Sequence, residues 1–156
     1  LLSPLSFGVF MLTLLVSLPS CKEEPVQGCT NQFSDNYNMA AEEDDGSCIL
    51  FREKFIGQYN VSESCPSGTY SFSFNIVESS TSDDAIIINN FGDFGEAVNG
   101  TVNNSSVTIP NQNITSRGLA LALDGSGSIA GNILTISYSY NFNGTGETCT
   151  MNCTKQ

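Results

Sequence analysis

Three observations predict that residues 50–156 form an all-β domain, a small up-and-down antiparallel barrel or a sandwich of about eight strands. First, two stretches alternate strictly. In Thr69 to Glu78, Tyr70, Phe72, Phe74 and Ile76 share one face against Ser71, Ser73 and Asn75; in Asn132 to Phe142, Leu134, Ile136, Tyr138, Tyr140 and Phe142 oppose Thr135, Ser137, Ser139 and Asn141. A period of two is that of a half-buried strand. Second, turn signals recur at short intervals: Pro66-Ser67-Gly68, Asn90 to Gly95, Asn103-Asn104, Pro110-Asn111, Gly131-Asn132 and Asn143-Gly144. Third, no stretch of useful length spaces its apolar residues as a helix does.

Taken in order, the strands are expected at Lys54 to Glu63, Thr69 to Glu78, Ala85 to Asn89, Ala97 to Val102, Ser106 to Ile109, Leu119 to Ile129, Asn132 to Phe142 and Glu147 to Thr154. Short strands at regular spacing are the pattern of a barrel or sandwich. The cysteines test closure. In the first strand Phe55, Gly57, Tyr59, Val61 and Cys65 share parity, and in the last Cys149, Met151 and Cys153 do. Both sets are the apolar ones, so both are expected to point inward. Pairing the two strands antiparallel with Cys65 opposite Cys149 puts Val61 opposite Cys153 and Tyr59 opposite Lys155. Pairing Cys65 with Cys153 instead would run Val61 off the chain end. The expected disulfide is therefore Cys65 with Cys149, leaving Cys153 as an inward thiol. Closing so long a loop gives a large entropic gain in principle.

Ahead of this domain, Cys29 and Cys48 bracket a segment of their own, GCTNQFSDNYNMAAEEDDGSC. Their spacing makes them a natural pair, worth about 3 kcal/mol on a chain-entropy argument. A segment so small has little core and needs the staple. Its Asp35, Asn38, Glu43, Asp44 and Asp45, with Asn36 and Glu42, supply the hard oxygens that calcium prefers, and Gly46 suits a sharp turn. The spacing is not that of an EF-hand loop, and an ion-free acidic spacer is the competing reading.

At the start, LLSPLSFGVFMLTLLVSLPS is almost continuously apolar from Val9 to Val16 and carries no charge. That is a secretory h-region, too short for a permanent membrane span. It opens at Leu1 with no Lys or Arg ahead of the apolar run, so a basic n-region is expected upstream. Leu18-Pro19-Ser20-Cys21 resembles the lipobox of bacterial lipoprotein signal peptides, which implies lipidation of Cys21 and stable anchoring by more than one acyl chain. Lys22-Glu23-Glu24 resembles the acidic export signal that follows the lipidated cysteine in surface lipoproteins of the Bacteroidetes.

The 28–49 segment is similar to a short module of exported proteins in marine Bacteroidetes. The match is carried by Gly28-Cys29-Thr30, Asn36-Tyr37-Asn38, Ala41 and Asp44-Asp45-Gly46-Ser47-Cys48. The region from Phe51 on resembles the lipocalin-like β-domains of Bacteroidetes lipoproteins. Here the match rests on Phe55 to Val61 running to Cys65, on Ile88-Asn89-Asn90-Phe91-Gly92, Val107 to Pro110, Gly125-Ser126-Gly127 and Leu134 to Tyr138. The resemblance implies a short barrel or half-barrel. The organisation expected is a signal peptide at 1–20, a lipidated tether at 21–27, the acidic module at 28–49 and the lipocalin-like domain at 50–156.

Composition narrows the function. A net charge of -11, with only five basic residues, argues against nucleic acid and against electrostatic docking on anionic lipid. Six cysteines in an exported chain imply disulfides. There is no His, Cys153 has no evident base, and Asp83, Asp84, Asp93 and Glu96 fall in loops, so an enzyme is not expected. The expectation is a lipid-anchored protein of the outer membrane or cell surface whose role is non-catalytic binding or display. A carrier would hold an apolar small molecule among Tyr59, Phe72, Phe74, Tyr138 and Tyr140, unless these rings simply fill the barrel. A display module would meet a protein or glycan through its loops, with Phe91 and Phe94 as exposed contacts. The competing reading of that pair is a loop folded over the barrel mouth.

Overall fold

The computed structural model describes residues 23–156. The signal peptide, the lipobox and Cys21 lie outside the described residues. From Gly57 the chain forms eight antiparallel strands: β1 (Gly57–Cys65), β2 (Gly68–Glu78), β3 (Ala85–Asn89), β4 (Val98–Asn103), β5 (Ser106–Ser116), β6 (Leu119–Ala130), β7 (Ile133–Phe142) and β8 (Thr145–Lys155). Each strand pairs with its neighbours in sequence, and β8 closes back onto β1. The result is a closed up-and-down barrel, neither a sandwich nor a half-barrel.

Closure follows the cysteine register. Cys153 stands opposite Val61 and Lys155 opposite Tyr59. Cys65 and Cys149 are joined, with Cα atoms 4.4 Å apart, and Cys153 is a buried free thiol. Burial holds that thiol well above its usual range, up to about 12, which keeps it protonated and unreactive at neutral pH.

Two strand boundaries differ from the sequence expectation by more than two residues. The chain does not enter β1 at Lys54: Phe51–Lys54 is a 3-10 turn that swings Phe55 into the core, and pairing starts at Gly57. Nor does β5 stop at Pro110-Asn111. It continues to Ser116 through a register shift between Ile109 and Gln112. Proline cannot donate to a ladder and is tolerated at such a bulge. Across the gap the Gln112 amide replaces the missing backbone bonds to β4, accepting from Asn99 N and donating to Asn99 O, both at 2.9 Å.

Alternation produces two faces. Ser71, Ser73, Thr135 and Ser137 point to solvent, whereas Phe74, Ile76, Ile86, Ile88, Ile109, Leu123, Leu134, Ile136 and Met151 fill the interior. Tyr59 is wholly buried among them, its hydroxyl donating to Phe55 O at 2.8 Å.

The up-and-down path sorts the connections by end. The β1–β2, β3–β4, β5–β6 and β7–β8 connections lie at the end carrying the Cys65–Cys149 bond, and the β2–β3, β4–β5 and β6–β7 connections lie at the other. The acidic segment packs on that other end. A parallel two-residue ladder joins Gln27–Gly28 to Glu43–Asp44, and Cys29 is bonded to Cys48. Phe51 N donates to Phe33 O, Asn31 reaches Asp83 in the β2–β3 loop at 2.5 Å, and Lys54 joins Asp35 at 2.6 Å while touching Asn104 in the β4–β5 turn. Arg52 extends the same junction to Ser79 O, Ser82 O and Glu78.

Candidate functional site

The end opposite the acidic module is not filled. A cavity of about 410 Å³ opens there, walled by Phe72, Phe94, Leu121, Tyr138 and Tyr140 and floored by Glu63 and the Cys65 side of the disulfide. Tyr70 and Leu119, two of the exposed large hydrophobics, rim it together with Arg117. A volume in the roughly 300–1,000 Å³ range, apolar walls and a few convergent polar groups are typical of small-molecule sites.

Glu63 is in the cavity because β1 alternates. It shares the parity of Tyr59 and Val61, so its carboxylate points into the barrel, and the residue is only 4% exposed. Tyr138 OH donates to Glu63 Oε1 at 2.8 Å. Burial raises the Glu63 pKa above the ordinary carboxylate range; the Tyr138 hydrogen bond pulls it back in part, and the negative Asp93 pushes it further up. The Tyr138 phenol is itself driven far above its usual value, first by burial and then by Glu63.

The 90–97 connection shapes the roof. Asn90 sits in the left-handed region at φ 60, with its amide donating to Ser73 O and accepting from Gly95 N. Gly92, at φ 61, lies where a Cβ would meet the Phe94 ring and Tyr138 OH. Ser116 Oγ donates to Phe94 O at 2.8 Å and ties the loop to β5. The rings then meet edge to face, Phe91 on Tyr138 at 4.8 Å and Phe94 on Tyr140 at 5.7 Å.

The residues expected from sequence therefore divide. Phe72, Tyr138 and Tyr140 line the cavity, whereas Tyr59 and Phe74 belong to the filled end, 5.4 Å apart. Phe91 is not an exposed partner contact. It is fully buried against Tyr138, because the loop turns back over the mouth, and Phe94 forms cavity wall.

In the acidic module Asp35 pairs with Lys54, Asn38 caps Ala40 N, Glu43 accepts from Gln27, and Asp44 and Asp45 cap Gly46 N and Ser47 N. Its carboxylates do not converge: among the described residues, the one set of three Cys, Asp or Glu ligand atoms within 4.8 Å of one another is Glu63, Cys65 and Cys149. Those two sulfurs are bonded to each other and offer no thiolate.

Glu63 is the residue that the sequence analysis missed. Its signal was present, an acid at an inward position of a strand, but a search for apolar alternation passes over it.

Because the folded protein holds the Glu63 proton more tightly than the unfolded chain, its contribution is largest below the unfolded pKa and is lost as pH rises through the folded one. Glu63→Gln is accordingly expected to stabilise the ligand-free protein by about 1 kcal/mol at pH 7. The gain should shrink toward zero near pH 4. Thermal unfolding at the two pH values measures both, and an equal gain at each would remove Glu63 as its source.

No protein-family model matches the chain, and no curated protein matches it. Among solved structures, a Bacteroides fragilis protein bearing the provisional name outer membrane protein aligns with a TM-score of 0.47 and 18% identity. The alignment covers 70% of this chain and 54% of that one, so the chain spans about half the length of that neighbour.

Proposed function

We propose that this protein is a lipid-anchored binding protein of the cell envelope, and that it takes a small, partly apolar ligand in the mouth of its barrel without transforming it. The observation that carries this reading is the cavity above a filled core: the same barrel is packed solid at one end and left open, with aromatic walls, at the other. Anchoring through Cys21 agrees with the outer face. A barrel that spans a bilayer needs an outward apolar band, and here the outward row of β2 and β7 is Ser71, Ser73, Thr135 and Ser137. The tether enters the acidic module, which packs on the closed end, so an anchor at Cys21 leaves the mouth pointing away from the membrane.

The test is a fluorescence titration of the full chain with N-phenyl-1-naphthylamine. Saturable one-to-one binding is expected, and Leu121→Trp, which fills the cavity with an indole, should weaken it at least tenfold. Binding that does not saturate, or that ignores Leu121→Trp, removes the mouth as the site. Native mass spectrometry of protein purified from its host should then show a discrete small molecule released on unfolding.

A further inference from the structure

We infer that the cavity ligand is an organic cation, an amine or quaternary ammonium on a small apolar body, whose charge is met by Glu63. The inference rests on the reading of the mouth as the binding site and names the chemistry of its ligand.

Three features of the cavity carry it. The first is a carboxylate inside the barrel with no protein cation to balance it. The ion pairs among the described residues use Arg52 and Lys54, at the far end of the molecule. Glu63 Oε1 is taken by the Tyr138 hydroxyl, while Oε2 accepts no hydrogen bond among the described residues and is not sealed from the cavity. A buried carboxylate without a counter-ion is costly, and a glutamine would make the Tyr138 bond without that cost. A cationic ligand in the cavity would supply the missing counter-ion.

The second feature is the walls. Phe72, Phe94, Tyr138 and Tyr140 line the same cavity as Glu63. Ring faces attract cations, ammonium groups above all, and the attraction grows when water is excluded.

The third is the sign of the surroundings. Asp93 on the roof loop and Glu147 on β8 add negative charge at the mouth, Glu147 held there by Ser67 Oγ at 2.7 Å. The sole basic side chain in the lining is Arg117, exposed at the rim and outside every ion pair among the described residues. An anion reaching Arg117 would share the lining with Glu63 and Asp93, whereas a cation meets both favourably. The net charge of -11 steers in the same direction at long range.

Calorimetric titration of the full chain with three probes of one shape tests this: 2-(1-naphthyl)ethylammonium, the uncharged 2-(1-naphthyl)ethanol and the anionic 3-(1-naphthyl)propionate. At pH 7 the ammonium should bind at least tenfold more tightly than the alcohol, with the propionate weakest. Glu63→Gln should abolish the preference for the ammonium over the alcohol, and Arg117→Gln should leave that preference in place. Equal binding of alcohol and ammonium, or tighter binding of the propionate, overturns the cation assignment and leaves the mouth as an apolar site. An ammonium preference that survives Glu63→Gln overturns the role of Glu63. Failure of all three probes to bind overturns the binding site itself. The three-probe comparison on the unmodified protein stands whether or not the variants fold.

Discussion

Replacing Cys65 and Cys149 together by alanine is expected to remove about 4 kcal/mol of stability, which for a marginally stable domain is a large share of the total. The two cysteines are separated by 84 residues and join β1 to β8, the strands whose pairing closes the barrel. Without the bond, the unfolded chain regains the freedom of that long loop, and closure depends on the ladder from Tyr59–Lys155 to Ser64–Thr150 alone. Chemical denaturation should show the midpoint falling and the slope rising, because the denatured chain without the cross-link is less compact and exposes more surface. A loss below about 1 kcal/mol would mean that the ladder holds the ends together unaided. Oxidative refolding should not produce a Cys65–Cys153 isomer. Cys153 stands opposite Val61 in the same inward row, and that pairing requires β8 to slip by four residues and lose its partners at the chain end. The double-alanine variant is also expected to loosen the floor of the mouth, since the disulfide lies within 4.8 Å of the Glu63 carboxylate.

Much of this architecture was legible because strand alternation is a local signal that every residue repeats. The faces of β2 and β7, the order of eight strands and the register that sets Val61 opposite Cys153 all follow from parity, and parity survives errors of a residue or two at strand ends. What was not legible lies where parity stops or where it conflicts with residue type. Pro110 reads as a turn, but Gln112 supplies from its side chain the bonds that the bulged backbone omits, an exchange that no local pattern announces. Phe91 and Phe94 read equally as exposed loop contacts and as a loop folded over the barrel mouth, and no local pattern decides between the two. Their inward turn depends on left-handed Asn90, on Gly92 and on the bond from Ser116, a residue remote in sequence. Glu63 obeys the parity of its strand, yet its charge argues against burial unless the space beyond it is known to be an open cavity. The site is thus the part of the barrel in which the usual preference for apolar interiors is broken, and the break is visible once Tyr138 and the mouth are in view.

Gly127→Ala should cost about 3 kcal/mol, although it adds a single methyl group. Glycine inside a strand normally weakens it and calls for a reason. Here Gly125 and Gly127 occupy the inward row of β6 between Leu123 and Ile129, opposite Tyr138 and Ile136 of β7. A Cβ on Gly127 would run into the Thr135 carbonyl oxygen and come within 2.9 Å of Ile136 Cγ1; on Gly125 it would lie 2.8 Å from Ser137 O and 2.7 Å from Tyr138 Cβ. The obstructing atoms are largely backbone, which cannot retreat without breaking the β6–β7 ladder. The two glycines therefore let β7 approach β6 closely beside Tyr138, the residue whose hydroxyl reaches Glu63 on β1. Ser126→Ala, on the outward row between them, should change stability by less than about 0.5 kcal/mol and serves as the control in the same unfolding experiment. Gly125→Ala should do something more specific. By displacing Tyr138 it should weaken occupancy of the cavity beyond what its loss of stability accounts for, so a titration at a temperature where the variant is still folded separates the two effects. Equal ligand affinity in the folded Gly125→Ala variant would detach the β6 glycines from the site and leave them a purely structural role.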